Sequence, residues 1–172
     1  MGWILIANSV VIVMVAPIAG WLSDRMGSRL LCTVGSAVIV IAQYFIASLG
    51  LDASIPRIVF PLMLTGLGWA IFNSPNQSAI LGSVPRDKVG TASGMTTTAA
   101  RTGGAMGVAL SATLFTYGLA AAGLSPLQIE SPESWGAAPG IFVGSFNHTV
   151  HVINFFTLLS IVFSVVRGSR QE

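Results

Sequence analysis

Charge is what this sequence has least of: Asp, Glu, Lys and Arg together make up 8% of its 172 residues, where a soluble domain carries about a quarter. A soluble surface cannot be built from so few charges, which excludes the soluble globular classes. Acids are scarcer still: Asp24, Asp52, Asp87, Glu130, Glu133 and Glu172 all fall in turns, a loop or the tail. A proton carrier inside a membrane is normally an Asp, Glu or His held in a cavity, so only a histidine could carry a proton within a span of this chain. Cysteine is limited to Cys32, which rules out an intrachain disulfide and a paired thiolate metal site; inside an apolar run it reads as a packed small residue. No basic patch interleaved with aromatics offers a nucleic-acid surface. Nothing in the spacing forms a Ser-His-Asp arrangement, a His-Glu-x-x-His motif or a phosphate-cradling loop, so the sequence argues against an enzyme and implies no cofactor or metal. A cleavable signal is also missing, since Met1-Gly2-Trp3 leads straight into a long apolar run,.

Apolar residues fill the space that charge leaves. They make up 53% of the chain, and the mean hydropathy is +0.79. Breaking the sequence at its charge clusters gives about five membrane-length spans, 3–22, 30–49, 58–81, 91–121 and 148–166. Each must be a helix, because backbone amides left unpaired in lipid are too costly, and the expected fold is an all-α polytopic bundle in a lipid bilayer. Turn signals fall between the spans, at 52–56, at 84–89 with Pro85, and along a Pro-, Ser- and Gly-rich connection from 123 to 147,.

Basic residues are distributed unevenly along these turns. Arg25 and Arg29 lie in the first, Arg86 and Lys88 in the third, Arg167 and Arg170 in the tail. Helix alternation puts all three on one side, which the positive-inside tendency makes cytoplasmic. The carboxyl terminus is then cytoplasmic and the amino terminus faces outward. The long connection, with Glu130, Glu133 and Trp135, becomes an outer loop. An outward start without a signal or basic anchor leads us to expect the carboxyl-terminal piece of a longer membrane protein.

The turn after the first span reads Gly20-Trp21-Leu22-Ser23-Asp24-Arg25-Met26-Gly27-Ser28-Arg29. Gly27 supplies backbone freedom for the reversal, and Asp24 is placed to cap the incoming helix. The spacing of Gly20, Asp24, Arg25, Gly27 and Arg29 resembles the loop signature of the major facilitator superfamily, Gly-x-Leu-Ala-Asp-Arg-x-Gly-Arg-Lys, which recurs once per half of those transporters. Ser23 and Ser28 depart from that pattern, leaving the cluster one basic charge lighter. Gly66-Leu67-Gly68-Trp69 through Pro75, Val84-Pro85-Arg86, Gly90-Thr91-Ala92-Ser93-Gly94 and the run from Arg101 to Ala109 are similar to the late helices of fourteen-helix drug:proton antiporters in that superfamily. The resemblance implies proton-coupled efflux of drugs or other small molecules by alternating access, no cofactor, a missing amino-terminal half as partner, and a multi-pass place in a cell membrane, a bacterial inner membrane. It further implies that the carrier carboxylates lie mostly in that other half, and that Asp24 helps hold the two halves together in the outward-open state. Two other classes stay open beside it: an inactive truncated membrane protein, and a polytopic membrane enzyme whose catalytic residues lie upstream.

Candidate translocation residues are Asn73, Asn76, Gln77 and Arg101. The third span is interrupted by Pro61, Gly66, Gly68 and Pro75, and its inner end carries Asn73, Ser74, Asn76 and Gln77. Interrupted helices in transporters border the central cavity; alternatively these amides meet water at the interface. In the fourth span, Gly90, Gly94, Thr97, Arg101, Gly104, Val108 and Ser111 share one helical face,. There the pairs Gly90/Gly94 and Gly103/Gly107 provide small-residue packing surfaces. Arg101 lies on the order of 16 Å deep if the span enters the membrane at Gly90, or is shallow and snorkels if Thr96 to Thr98 are still interfacial. His148 and His151 share a face of the last span, where hydrogen bonding to interfacial water competes with a weak metal or proton role.

Overall fold

The structure, a computed structural model, describes residues 2–124 and 139–168. Glu130, Glu133, Trp135 and Arg170 lie outside the described residues. The rest is helical: α1 Gly2–Met26, α2 Ser28–Ala47, α3 Ile55–Gly82, a 3-10 turn Arg86–Lys88, α4 Val89–Ala121 and α5 Pro139–Gly168. Among the described residues four stretches are long and apolar enough to cross a membrane, Asn8–Met26, Ser28–Ala47, Ile55–Gly82 and Arg86–Ala121, and the expected all-α membrane bundle is what forms. α5 begins at Pro139, ahead of 148, because a proline is well placed in a first helical turn,.

α3 is the centre of the packing. It lies between α1 and α2; α2 also packs on α5, and α5 carries α4 on its far side. Glycine sets the closest approaches. A Cβ on Gly35 would lie 2.6 Å from the Phe72 amide nitrogen and 2.9 Å from the Gly68 carbonyl oxygen, so α2 and α3 meet backbone to backbone. One on Gly66 would meet the Asn8 carbonyl oxygen at 2.8 Å, which draws α1 equally close. Pro61 and Pro75 are fully buried within α3, so both rings pack inside the bundle and not against lipid,. Among the described residues the other buried apolar side chains are Leu31, Leu119 and the alanines Ala19, Ala42, Ala47 and Ala70, whereas Val13, Met14, Met95 and Tyr117 are exposed. An apolar exterior is the form a bundle takes when lipid replaces water around it.

Threonine and serine hydroxyls are satisfied within their own helices. Thr96, Thr97 and Thr98 donate to the carbonyls of Ala92, Ser93 and Gly94 at 2.8, 2.9 and 2.9 Å. Ser111 and Thr113 do the same to Gly107 and Ala109 at 2.6 and 2.9 Å. α4 can thus carry many hydroxyls without presenting a bare donor to lipid.

The turn between α1 and α2 is a single residue. Gly27 has φ 86° and ψ 141°, and its N–H donates to the Ser23 carbonyl at 2.9 Å. The expectation that Asp24 caps α2 is corrected here: α1 runs on to Met26, Gly27 is the N-cap of α2, and no side chain bonds the first turn. Asp24 instead belongs to the last turn of α1, where the helix dipole is unfavourable to a carboxylate.

Candidate functional site

Thr65, Trp69, Asn73 and Gln77 recur every fourth residue along α3, so they share one face, with Asn76 beside Asn73,. The upper part of this stripe opens into a crevice of about 490 Å³ whose lining includes Asn8 from α1, Ser36 and Gln43 from α2, Thr65 and Trp69 from α3, and Thr157 from α5. No formal charge lines it. The hydroxyls of Ser36, Thr65 and Thr157 donate to Cys32, Pro61 and Ile153 carbonyls at 2.8, 2.8 and 3.1 Å, leaving only lone pairs for a ligand. Gln43 adds a buried Oε1 with no hydrogen-bond partner among the described residues. The crevice is therefore an uncharged polar chamber beside a half-exposed indole, with acceptors on its hydroxyls and on Gln43 and N–H donors on Asn8, Gln43 and Trp69, suited to a planar polar molecule,.

Of the residues expected to form a path, Asn73, Asn76 and Gln77 are half-buried on α3, continuing the stripe from Trp69 towards the basic end of the bundle. Arg101 is exposed on α4 and makes no hydrogen bond or ion pair among the described residues. α3 and α4 touch only slightly, and the four candidates do not form one cluster within this chain. The small-residue face of α4 is equally bare: Gly90, Gly94, Gly103 and Gly107 have nothing within 4 Å of where a Cβ would stand. α4 meets α5 near its other end, where Leu119 is fully buried and a Cβ on Gly118 would lie 3.1 Å from the Ser145 side chain.

The turn motif is held by packing at one end and exposed at the other. A Cβ on Gly20 would stand 3.2 Å from Ser74 Oγ, so this glycine fits α1 to α3. Ser23, on the same helix, is buried. Asp24, Arg25 and Arg29 are exposed. The Arg25 guanidinium stacks 4.0 Å from the centroid of the Trp21 ring, and Asp24 has no partner among the described residues.

Asn8, Gln43 and Trp69 were not anticipated as crevice residues, nor was the polar seam between α2 and α5. In that seam Asn147 Nδ2 donates to the Leu49 carbonyl and Asn154 Nδ2 to the Val40 carbonyl, both at 3.4 Å. Between them His151 packs edge-on to Tyr44, ring centroids 6.3 Å apart. Isolated amides in apolar runs were the available signal, since a carboxamide in lipid needs a partner.

Membrane-length helices enclosing uncharged polar groups at mid-depth, with the charges gathered mostly at the helix ends, define the helical transporter class. The Major Facilitator Superfamily model matches residues 1–108, and the chain belongs to this family, whose members are transporters and not enzymes. It is similar to the riboflavin transporter RibZ of Clostridioides difficile (strain 630), 31% identical over 149 residues covering 83% of this chain and 33% of that protein. It is also similar to the quinolone resistance protein NorB of Staphylococcus aureus (strain MRSA252), 30% identical over 105 residues, 53% of this chain and 22% of that protein. A triacylglyceride transporter of Mycobacteroides abscessus is 30% identical over 104 residues, 55% of this chain and 20% of that protein. The chain spans a third or less of the length of each.

Proposed function

We propose that this chain supplies the carboxyl-terminal helices of a proton-coupled exporter of small organic molecules, of the fourteen-helix drug:proton antiporter type, in a bacterial inner membrane with its carboxyl terminus cytoplasmic. The observation that carries the reading is the uncharged, polar crevice that continues into the Asn73–Gln77 stripe of α3. A planar molecule of the flavin kind, with its ring N–H and hydroxyls, fits its chemistry, and the similarity to a riboflavin transporter and a quinolone resistance protein supports an exporter of small organic molecules. Movement of the solute is by alternating access, with an amino-terminal half closing against this one. Asp24, unpaired at the end of α1, finds its partner there. The coupling carboxylates belong to that half as well, since the acids among the described residues, Asp24, Asp52 and Asp87, lie at helix ends and turns and none at the middle of a span.

The test is export of a flavin or fluoroquinolone by the intact transporter at matched membrane abundance. Gln43→Leu, which removes the unpaired acceptor while keeping bulk, lowers export of a donor-bearing solute by about tenfold, the worth of one buried hydrogen bond. The same change leaves a solute without N–H or O–H groups almost unaffected. Equal export of both solutes by wild type and variant would remove Gln43 from the path.

A further inference from the structure

At the end of the bundle opposite the Gly27 turn, two clefts lie side by side. One, of about 540 Å³, has Phe45, Phe60 and Pro61 in its wall and Asp52 and Arg57 among its lining. The other, of about 350 Å³, lies between Phe115 of α4 and Phe142, Val143 and Phe146 of α5. Leu49 and Gly50 line both, so the two clefts flank one short piece of backbone. Asn147 tethers that piece through the Leu49 carbonyl at 3.4 Å. Aromatic rings line each side: Phe45 and Phe60 meet edge-to-face with centroids 5.8 Å apart, and Phe115 and Phe142 are tilted at 6.3 Å.

Two charges of opposite sign accompany these apolar clefts. Asp52 and Arg57 are both exposed, and no ion pair joins them to each other or to any other described residue. The first turn of α3 beside Arg57 has no side-chain cap from Ser54, so its positive pole is uncompensated,. The 20 residues of α2 rise about 30 Å, the thickness of the hydrocarbon core, so its end at Ala47 and the charges just beyond lie at headgroup depth,.

We propose that this end of the bundle binds a phospholipid bearing a primary amine beside its phosphate, with the headgroup across Asp52 and Arg57 and one acyl chain in each cleft. The guanidinium fork of Arg57 and the uncapped α3 terminus take the phosphate. Asp52 accepts from the ammonium N–H groups, which a choline headgroup lacks. Two apolar clefts on either side of Leu49–Gly50 match two chains leaving one glycerol. The site is independent of the solute crevice and of the transport reading.

Native mass spectrometry of the purified chain, released from detergent with either phosphatidylethanolamine or phosphatidylcholine, tests this. Wild type retains phosphatidylethanolamine about tenfold better, the worth of one charge-assisted hydrogen bond. Asp52→Asn makes the two lipids equal, and Arg57→Gln lowers retention of both. Phe115→Ala with Phe146→Ala weakens both while keeping the preference. Soluble phosphoethanolamine in large excess does not displace the lipid. Both charge variants lie on the surface, and matched helical circular dichroism confirms their fold. Equal retention of the two lipids by wild type, a preference that survives Asp52→Asn, or retention unchanged in Arg57→Gln would show only annular lipid and overturn the site. Displacement by soluble phosphoethanolamine would make it a site for a free phosphorylated amine and overturn the lipid assignment.

Discussion

Arg101 stands part way along α4, exposed and without a partner among the described residues. A charged side chain at the centre of a bilayer costs about 2.5–3.5 kcal/mol on insertion scales, a cost that a cavity or an anionic partner must offset. If its stem instead reaches the interface, lipid phosphate or water satisfies it. Lysine separates the two, since it keeps the charge and loses the planar five-donor fork. A cavity role predicts that Arg101→Lys and Arg101→Ala both lose export in the intact transporter, and full activity of Arg101→Lys at matched abundance would assign Arg101 to snorkelling. Gly27 makes a narrower claim. At φ 86° and ψ 141° it holds a conformation that side-chain-bearing residues rarely adopt, at a cost of about 1–3 kcal/mol. Gly27→Ala therefore lowers the thermal unfolding midpoint of the chain in detergent even though nothing lies within 4 Å of the added methyl. An unchanged midpoint would mean that the turn relaxes freely.

Glycine packs α2 and α3 backbone to backbone, whereas along α4 the glycines from Gly90 to Gly107 touch nothing and only Gly118 meets a neighbour. Gly35 and Gly68 bring α2 and α3 together with a Cβ-to-backbone clearance of 2.6 to 2.9 Å, and a backbone neighbour cannot rotate aside. Gly35→Ala accordingly destabilises the chain by about 1–3 kcal/mol, the range for overpacking. Gly94→Ala, with open space around it, leaves the isolated chain as stable or more so, because glycine within a helix is worse than alanine by about 1 kcal/mol. Denaturation of both variants in the same detergent tests the contrast, and equal destabilisation would refute it. This difference also marks how far the sequence could be read. Apolar length located the helices, since span length is set by bilayer thickness and needs no tertiary information. The repeated small residues of α4 read as a packing face by their spacing, while Gly35 is a lone glycine whose importance exists only because Gly68 crosses it. Asp24 was misread as a cap because its role depended on α1 running four residues past the expected end at 22, to Met26. The crevice was not legible: Asn73, Asn76 and Gln77 stand out in the sequence as a cluster but lie beyond its lining, and Gln43 and Asn8 are single amides brought to α3 by the glycine contacts of Gly35, Gly66 and Gly68.

Over the whole molecule, one side is closely packed and the other is open. α1, α2 and α3 are drawn together by backbone contacts, α5 is tied by Asn154 to α2 and by Asn147 to Leu49 just beyond it, and α4 holds to α5 near one end while its stretch 97–110 is exposed all round. Lipid alone does not account for that face, because hydrocarbon gains little from meeting glycine, whereas a second helix gains close van der Waals contact. The reading that this chain is the carboxyl-terminal part of a two-half transporter gives the face an occupant, a helix of the other half, and makes α4 the surface on which the halves rock. A residue that fills the gap should then lock or separate them. Gly94→Leu in the intact transporter is expected to insert at normal abundance and lose at least about tenfold in export, because overpacking one tight helix contact costs roughly 1–3 kcal/mol. Met95→Leu, on the adjacent face, should export normally. If Gly94→Leu exports as wild type does, this face of α4 looks onto lipid, and the closing of two halves against each other must occur elsewhere on the molecule.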